Sequence, residues 1–412
     1  MTSELTIAPQ PNEYDEAVQH PRYCFADPEL RAGRVETYAP GRGIPGMPWP
    51  RSGAFGQAYR VFVNGNQWGV KCFTRLHTDQ EARYRAISTY LKKTALPYMV
   101  NFDYQAQGIK VKSTWYPILK MEWIEGESLN EYVARNLGRP NAIAKLSERW
   151  AVLVRNLQSH NIAHGDLQHG NVLVAGDELR LIDYDGMFVP TLSGRESHEI
   201  GHRNYQHPLR SEHYFDPTLD NFSAWVIYLS LVALSLDPTL WQQYGRDEET
   251  LLFHAEDFKA PDRSPILRAL SNGYNVQLRP LASYVNQIVH MNPQQVPPLD
   301  PQRVSEEVAL IRQTTKPGWL PGDASVLQES PPPRPLKATA TAAMAPPAAV
   351  TVAPTTVTAA SRPAAVLITP AASPAPAVPP TPALRASQWL PAQVWPQRIG
   401  VVAQLVTSLA VI

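Results

Sequence analysis

The chain contains 412 residues, and its 37 basic and 37 acidic side chains give a formal net charge of zero. This balance argues against nucleic acid as the main partner, because binding to phosphates needs a surplus of positive charge. Two cysteines, Cys24 and Cys72, are too few for a disulfide framework or a cysteine-rich zinc site. The N-terminus lacks the basic and apolar pattern of a secretory signal. We therefore expect a cytoplasmic protein, long enough for two domains or for one bilobal enzyme with tails.

Charges and prolines are unevenly distributed along the chain. Residues 331–412 contain no Asp or Glu and five basic side chains, so the other 330 residues carry a net charge of −5. Residues 331–391 hold 15 of the 40 prolines and lack the large apolar residues that could offset the entropy cost of ordering. We predict a linker over 301–330 and a disordered Pro/Ala/Thr-rich tail over 331–398. The uncharged segment 399–412 is shorter than the about 20 residues of a bilayer span, so we expect a short docking helix. The less favoured alternative, the beginning of a membrane helix that this chain does not complete, stays open.

The first predicted elements of the body are mostly strands. Residues 1–49 are rich in Pro and Gly and predict an extended arm packed on, or leading into, the following domain. The segment from Arg51 to Phe73 predicts two strands joined by an NGN turn, a strong hairpin signal. Apolar residues at helical spacing predict a helix over 78–93. Another strand pair is predicted over 100–123.

The later elements are predicted to be helices. Apolar periodicity indicates helices over 129–136, 147–160 and 221–236. An order of strands first and helices later is typical of an α+β fold with two lobes. We therefore predict a small β-rich N-lobe and a helical C-lobe over residues 50–300.

The strongest chemical pattern is the segment HGDLQHGNVLV, which begins at His164. Asp166 and Asn171 lie five residues apart ahead of an apolar strand, and LIDYDG places Asp183 twelve residues beyond Asn171. Phosphoryl transfer needs such a set, in which one carboxylate accepts the proton of the attacking hydroxyl and an amide and a second carboxylate hold Mg²⁺ on the nucleotide phosphates. The alternative, a turn with surface Asp and Asn side chains, would have to satisfy all these spacings by chance. We predict Asp166 as the base and Asn171 and Asp183 as metal ligands.

A second pattern upstream predicts a phosphate-binding lysine below a glycine loop. WGVK places Lys71 at the end of an apolar strand. SGAFGQAYRV supplies Gly53, Phe55 and Gly56, and Gly56 precedes Lys71 by fifteen residues. Glycines at these positions let the backbone close over an anion, although hairpins also favour glycine.

A helix carboxylate is expected to orient Lys71. Between Lys71 and Pro97 the acidic residues are Asp79 and Glu81. Glu81 falls in the first turn of the predicted helix and is the candidate catalytic partner. The alternative, that Glu81 only stabilises the helix N-terminus electrostatically, stays open.

The segment HEIGH, from His198 to His202, matches a zinc-hydrolase pattern. In HExxH motifs two histidines one helical turn apart bind zinc, and the intervening Glu199 activates a water. That chemistry needs an uninterrupted helix, whereas Gly201 lies inside the segment. We therefore interpret the match as a coincidence.

The order of motifs along the chain resembles that of the eukaryotic-type Ser/Thr protein kinases of bacteria, over about residues 50–300. These motifs are the glycine loop, WGVK, KMEWIEGESL, HGDLQHGN, DYDG, GHRNYQHP and DNFSAW. The resemblance implies a bilobal protein kinase-like fold and an enzyme that uses ATP and Mg²⁺ to phosphorylate Ser and Thr hydroxyls of protein substrates. It gives Lys71 the role of binding phosphates and Asp166 that of the base. It also matches Asp220, in DNFSAW, to the helix residue that braces the catalytic loop of protein kinases.

The same resemblance assigns the adenine-binding segment. KMEWIEG looks like the hinge between the lobes, which implies Met121 as the gatekeeper. Residues Glu122 to Ile124 would then offer backbone groups to adenine.

Five departures from the family pattern leave the catalytic groups in place. One is the spacing from Lys71 to Glu81, which is short for the family. Arg51 stands where the first glycine of the loop is expected, which predicts a stiffer loop. Gly165 replaces the arginine of HRD, so activation through a phosphate bound to that arginine is not expected. DYDG has one residue more than DFG before its glycine. Leu209 replaces the glutamate of APE, which removes the usual ion pair of the activation segment.

Two other functions stay open. HGDLxxGN also resembles small-molecule kinases of the aminoglycoside or choline type, although Asp220 and the YQHP turn favour a protein kinase. Arg51 and the changed activation segment are compatible with an ATP-binding pseudokinase scaffold. The tail, with Thr381 before Pro382, could be phosphorylated by the kinase itself, and its PxxP-like runs could bind an SH3-like partner.

Overall fold

The structure is a computed structural model that describes residues 5–40, 43–53, 55–245, 249–273 and 275–304. Of the predicted linker 301–330, residues 305–330 lie outside the described residues. The predicted tail 331–398 and the apolar segment 399–412 also lie outside them. Among the residues that are described, no helix is both long and apolar enough to span a membrane.

Apart from three short N-terminal helices and the helix Gln80–Thr94, the described part of the chain contains mostly strands up to residue 128 and mostly helices after it. The strands are β1 (Leu5–Thr6), β2 (Arg34–Val35), β3 (Arg51–Ser52), β4 (Gly56–Val63), β5 (Asn66–Phe73), β6 (Leu76–His77), β7 (Phe102–Val111), β8 (Thr114–Glu122), β9 (Glu127–Ser128), β10 (Val172–Ala175) and β11 (Glu178–Leu181). The helices are α1 (Pro11–Val18), α2 (Pro21–Cys24), α3 (Pro28–Arg31), α4 (Gln80–Thr94), α5 (Leu129–Asn136), α6 (Pro140–Ser159), α7 (Asn221–Leu236), α8 (Thr239–Tyr244), α9 (Ala255–Lys259), α10 (Pro265–Asn272) and α11 (Leu278–Ile288). Short 3-10 helices cover Pro190–Leu192, Pro261–Arg263 and Pro293–Gln295.

The small lobe is built on an antiparallel sheet with the strand order β2-β4-β5-β8-β7, and β3 pairs with β4. Strands β4 and β5 are joined at Asn64 and Gly65, which both have positive φ, as the favoured two-residue hairpin turn requires. Helix α4 packs on one face of the sheet through Tyr84 and Ile87, which are buried against Phe73. This face also carries Lys71, so the helix and the predicted phosphate-binding residue lie on the same side.

The large lobe is organised around the paired helices α6 and α7. Trp150 on α6 is fully buried, and its Nε1 donates a hydrogen bond to the carbonyl of Ala224 on α7 at 3.1 Å. Helix α7 is buried along most of its length. The loop between α6 and β10 carries Asp166, and the end of β11 leads into Asp183, so packing of these elements fixes both acidic residues.

The prediction of an extended arm over residues 1–49 is wrong in conformation, because helices α1, α2 and α3 form there. These helices cover the outer face of the sheet and bury Tyr14, Phe25 and Leu30 against Val70 and Ile118. The Tyr14 hydroxyl also donates to the backbone carbonyl at the end of β5 at 2.8 Å. The first part of the chain is therefore an integral layer of the small lobe.

Asp27 ties this layer to the sheet and provides a test of its contribution to stability. Its carboxylate accepts hydrogen bonds from the backbone of Glu29 and Leu30 at the start of α3 and pairs with Lys120 of β8 at 2.9 Å. Loss of a capping carboxylate costs about 1–2 kcal/mol, so we expect Asp27→Ala to lower the free energy of unfolding in urea by about that amount. The exposed Asp177, in the turn after β10, provides the control, and Asp177→Ala should leave stability unchanged.

The same variant should show a defined dependence on pH. Burial would raise the pKa of Asp27, but the hydrogen bonds and charge of Lys120 and the backbone donors outweigh burial and lower the pKa. Because the folded pKa lies below the unfolded value, this stabilisation is present above about pH 4 and is lost as the pH falls through the folded pKa. The stability difference between Asp27→Ala and the native chain should therefore shrink in acid, and a constant difference would contradict this role of the charge.

Candidate active site

The loop between α6 and β10 holds Asp166 and Asn171 in direct contact. The amide nitrogen of Asn171 donates to the Asp166 carboxylate at 2.9 Å and to its backbone carbonyl at 3.0 Å. The other carboxylate oxygen accepts a hydrogen bond from the backbone N–H of His202 at 2.6 Å. A carboxylate has about four acceptor positions, so Asp166 is oriented by these bonds and can still accept the proton of a hydroxyl.

Asp220 braces this loop from below, as the resemblance predicted. It precedes α7, and its carboxylate accepts hydrogen bonds from the backbone N–H groups of His164 and of Gly165, the latter at 2.8 Å. Burial raises the pKa of Asp220, an effect opposed by these donors. Two buried donors that would otherwise lack partners are thus satisfied by one side chain, and this prediction is confirmed.

Lys71 lies between two carboxylates at the base of the cleft. Its Nζ contacts Asp183 Oδ1 at 2.6 Å and Asp185 Oδ2 at 2.7 Å. Burial would lower the pKa of Lys71, but the two negative charges outweigh burial and raise it, so the lysine is cationic. The lysine charge likewise holds the pKa of Asp183 below its usual range against the opposing effect of burial, whereas burial raises the pKa of Asp185.

The structure does not bring Glu81 to Lys71. Glu81 lies in the first turn of α4, where its carboxylate pairs with Arg85 one turn along the helix at 2.6 Å, and its side chain is half exposed. The α4 side chain that reaches the lysine cluster is Tyr84, whose hydroxyl donates to Asp185. The structure therefore shows no contact between Glu81 and Lys71, because the position of Glu81 on the helix directs its carboxylate to solvent.

The glycine loop approaches Lys71 closely at Gly56. A Cβ atom at Gly56 would lie 2.6 Å from the carbonyl oxygen of Cys72 and 3.2 Å from Lys71 Cε. Only glycine therefore allows β4 to pass so near the lysine. Gly53 donates its backbone N–H to the Gly56 carbonyl at 2.9 Å, and Phe55 lines a small cavity together with Asp185.

Arg51 connects the beginning of the glycine loop to the segment after β8. Its guanidinium pairs with Glu36 at 2.5 Å and lies 4.1 Å from the ring centre of Trp49 and 5.0 Å from that of Trp123. Stacking of arginine on two aromatic rings restrains the strand that carries it. These contacts connect β3, at the start of the glycine loop, to Glu36 and to the two aromatic rings, and the stiffness of the loop itself stays a prediction.

The predicted hinge residues lie at the end of β8 and in the loop that follows. Met121 faces Gly69 of β5, since a Cβ atom on that glycine would lie 3.4 Å from Met121 Cγ. Glu122 is the last residue of β8, and Ile124 lies in the connection to β9. These positions place backbone groups beside the strand that carries Lys71, on the path between the lobes.

The HEIGH segment does not form the helix that zinc hydrolysis would need, because Gly201 has φ of +82° and no helix is assigned over the segment. His198 stacks on His77 with ring centres 3.7 Å apart and contacts Asp79, whereas His202 contacts Glu249. Burial lowers the pKa of His198 to about 4, so its ring is neutral near pH 7. The two histidines therefore have different partners.

Glu199 of the same segment is buried beside the acidic cluster, which the sequence did not indicate. Burial raises the pKa of Glu199, and the nearby Asp185, Asp183 and Asp166 add to this effect. Its Oε1 would lie 2.6 Å from a Cβ atom at Gly186. The glycine of DYDG is thus required for the activation segment to pack here.

The YQHP turn is anchored by aromatic packing and hydrogen bonds. His207 packs on Phe222 of α7 with ring centres 5.0 Å apart, and the Tyr205 hydroxyl contacts His169 at 2.8 Å. Leu209, in place of the family's glutamate, is exposed. These contacts anchor the YQHP turn to the large lobe, at the position where the resemblance would place the ion pair of the APE glutamate.

Comparison with known families identifies the domain. Residues 52–295 match the family model described as the protein kinase domain, which is more than half of the chain. The chain belongs to the protein kinase domain family. The α+β bilobal fold predicted from the sequence is thereby confirmed. Lys71, Asp166, Asn171 and Asp183 all lie within this matched range, and their catalytic and metal-binding roles stay predictions. The structure adds Asp185 and Tyr84 as neighbours of Lys71 and of its carboxylate partner.

One curated relative matches a short part of this chain. A probable bifunctional tRNA threonylcarbamoyladenosine biosynthesis protein of Methanosarcina mazei is 35% identical over 97 residues, which is 21% of this chain and 16% of that protein. The match therefore spans about a sixth of the length of this relative.

Proposed function

We propose that this kinase transfers the γ-phosphate of ATP to Ser or Thr hydroxyls of protein substrates, as eukaryotic-type kinases of bacteria do. One observation carries the proposal: Asp166 is hydrogen-bonded to Asn171, and Lys71 is hydrogen-bonded to Asp183. Asp166 would accept the proton of the attacking hydroxyl, and Lys71 would hold the phosphates from the opposite side of the cleft.

The residues fit Mg²⁺ and ATP by their chemistry. Asn171 uses its amide nitrogen to donate to Asp166, which leaves the amide oxygen available as a metal ligand, and the Asp183 side chain is partly exposed. Mg²⁺ prefers such oxygen ligands. These two residues would hold the ion, which when bound neutralises phosphate charge. Gly53, Phe55 and Gly56 would cover the phosphates, and Met121, Glu122 and Ile124 would border adenine.

Protein substrates are favoured over small molecules by the segment after DYDG. Asp220 braces the catalytic loop, and Tyr205 and His207 fix the YQHP turn against the large lobe. Such an ordered turn beside the base offers a surface on which a peptide can lie. The relative's name refers to tRNA modification, but a match over 16% of that protein carries no substrate to this chain.

The test is a transfer assay with the full chain and γ-labelled ATP. Generic proteins such as casein and myelin basic protein are compared with aminoglycosides and choline, and phosphoamino acid analysis follows. We expect Mg²⁺-dependent label on Ser or Thr of proteins, with chelation by EDTA as the control. Label on metabolites alone would identify a small-molecule kinase, and ATP binding without any transfer would identify a pseudokinase scaffold.

Three finer proposals concern regions outside the described residues or the setting of the protein. We infer a cytoplasmic location, phosphorylation of the tail near Thr381 by the kinase itself, and binding of an SH3-like partner to the Pro-rich runs. Mass spectrometry after incubation with ATP tests the phosphorylation of the tail, because phosphate confined to residues before 331 would contradict it. A pull-down of the full chain with isolated SH3 domains tests the binding of an SH3-like partner.

A further inference from the structure

We propose that Asp185, the additional residue of DYDG, is the positioning residue for Lys71, a task that the sequence assigned to Glu81. Asp185 is a functional site residue beyond those expected of the motif, in which Asp183 alone was assigned. The inference deepens the proposed kinase function and rests on it for the turnover measurement only.

The contacts of Asp185 fit this role on both carboxylate oxygens. One oxygen lies 2.7 Å from Lys71 Nζ, and the other accepts a hydrogen bond from the Tyr84 hydroxyl. Tyr84 is 3% exposed and sits in the middle of α4 among the rings of Phe73, Phe102 and Tyr104. The carboxylate is therefore connected to the helix through a buried, closely packed side chain. In this way α4 contacts the lysine indirectly, through a residue that belongs to DYDG.

A second carboxylate has a specific use beside a metal ligand. Asp183 pairs with Lys71 at 2.6 Å, but it is also the carboxylate that would hold Mg²⁺. A lysine with a single carboxylate partner would compete with the cation for that partner. Because Asp185 supplies a second contact, Lys71 can keep its position and charge balance when Asp183 turns to another ligand.

The surroundings of the cluster support a division of roles between the two acids. The side chain of Asp183 is 39% exposed, whereas those of Asp185 and Lys71 are each 11% exposed. Asp183 is thus open to a ligand from the cleft, and Asp185 faces inward to Tyr84. An ion pair this deeply buried stays stable only with such additional hydrogen bonds.

The test measures ATP binding by calorimetry with excess Mg²⁺ and with EDTA, for the native chain and for Asp185→Asn. We expect Asp185→Asn to weaken ATP binding in Mg²⁺ by about tenfold, since it removes the negative charge beside Lys71 and leaves one acceptor oxygen for the two hydrogen bonds that the carboxylate accepts. Binding in EDTA should change by less than about twofold, because Lys71 then still has Asp183. Tyr84→Phe, which loosens Asp185 without removing its charge, should give a smaller change of the same kind. Glu81→Gln is the matched control on α4 and should leave both affinities unchanged.

The outcomes separate a positioning role from a general structural one. Equal weakening with Mg²⁺ and with EDTA would mean that Asp185 only supports the fold, and would overturn the proposal. Native affinity in Asp185→Asn, or a loss in Glu81→Gln as large as that in Asp185→Asn, would overturn it as well. If the native chain binds ATP but transfers no phosphate, the proposed function fails, while the binding comparison still tests Asp185.

Discussion

Asp166→Asn should reduce phosphate transfer by about 10³-fold, because it removes the proposed general base while leaving its shape. The variant keeps one carbonyl oxygen that can accept from His202 N–H or from Asn171, so the catalytic loop should stay in place. The measurement is the initial rate of transfer from γ-labelled ATP to the best protein substrate. ATP binding should change little, since Asp166 has no predicted contact with the nucleotide phosphates.

A matched set of variants makes this expectation specific. Asp262→Asn alters an exposed carboxylate of the large lobe and should retain full activity. Lys71→Ala should also abolish transfer, but it should weaken ATP binding as well, because it removes the phosphate-binding charge from the cleft. Full activity of Lys71→Ala or of Asp166→Asn would contradict the mechanism, whatever the substrate proves to be.

Much of the site could be predicted because its chemistry lies in short segments. Asp166 and Asn171 are five residues apart on one loop, and that loop connects a helix to a hairpin whose second strand ends just before Asp183. Local spacing therefore determines which side chains meet. Elements with clear periodicity were also predicted well: helices α5 and α7 match the expected ranges 129–136 and 221–236, and α4 begins two residues later than expected.

The sequence does not predict the N-terminal layer, because a segment rich in proline indicates irregular chain. Pro11, Pro21 and Pro28 each occupy the first position of a helix, where the missing N–H costs nothing and the fixed φ favours helical geometry. Helices α2 and α3 have four residues each, too short for a periodic pattern. Their stability comes from packing on the sheet, and a sequence does not show which face of a sheet lacks a cover.

The partner of Lys71 was missed for a different reason. The family pattern directs attention to acidic residues on the helix after Lys71, whereas Asp185 lies 114 residues further along the chain than Lys71. The second acid of DYDG was visible, but its direction depends on the backbone at Asp183, where φ is +66°. Only the folded chain shows that this turn directs Asp185 toward the lysine and that Tyr84 meets it from α4.

The second large effect is expected at Gly165, which stands where HRD motifs have arginine. Its φ is +83°, and a Cβ atom there would lie 2.0 Å from the carbonyl oxygen of Gly186. A side chain would therefore have to move the catalytic loop away from DYDG and would also meet the penalty of left-handed backbone geometry. We expect Gly165→Ala to lower the free energy of unfolding by about 3 kcal/mol or more and to abolish transfer.

Unfolding in urea measures this effect, and Gly138→Ala is the control, because a Cβ atom there meets nothing within 4 Å and its φ is not positive. Gly165→Arg, which would restore the arginine of HRD, should be at least as destabilising, since the contact with Gly186 begins at Cβ. The missing arginine is then a consequence of how the two catalytic segments pack, and not a substitution that could be reversed alone. Native stability in Gly165→Ala would show that the loop can separate from Gly186 at no cost, which would contradict the close packing described for these segments.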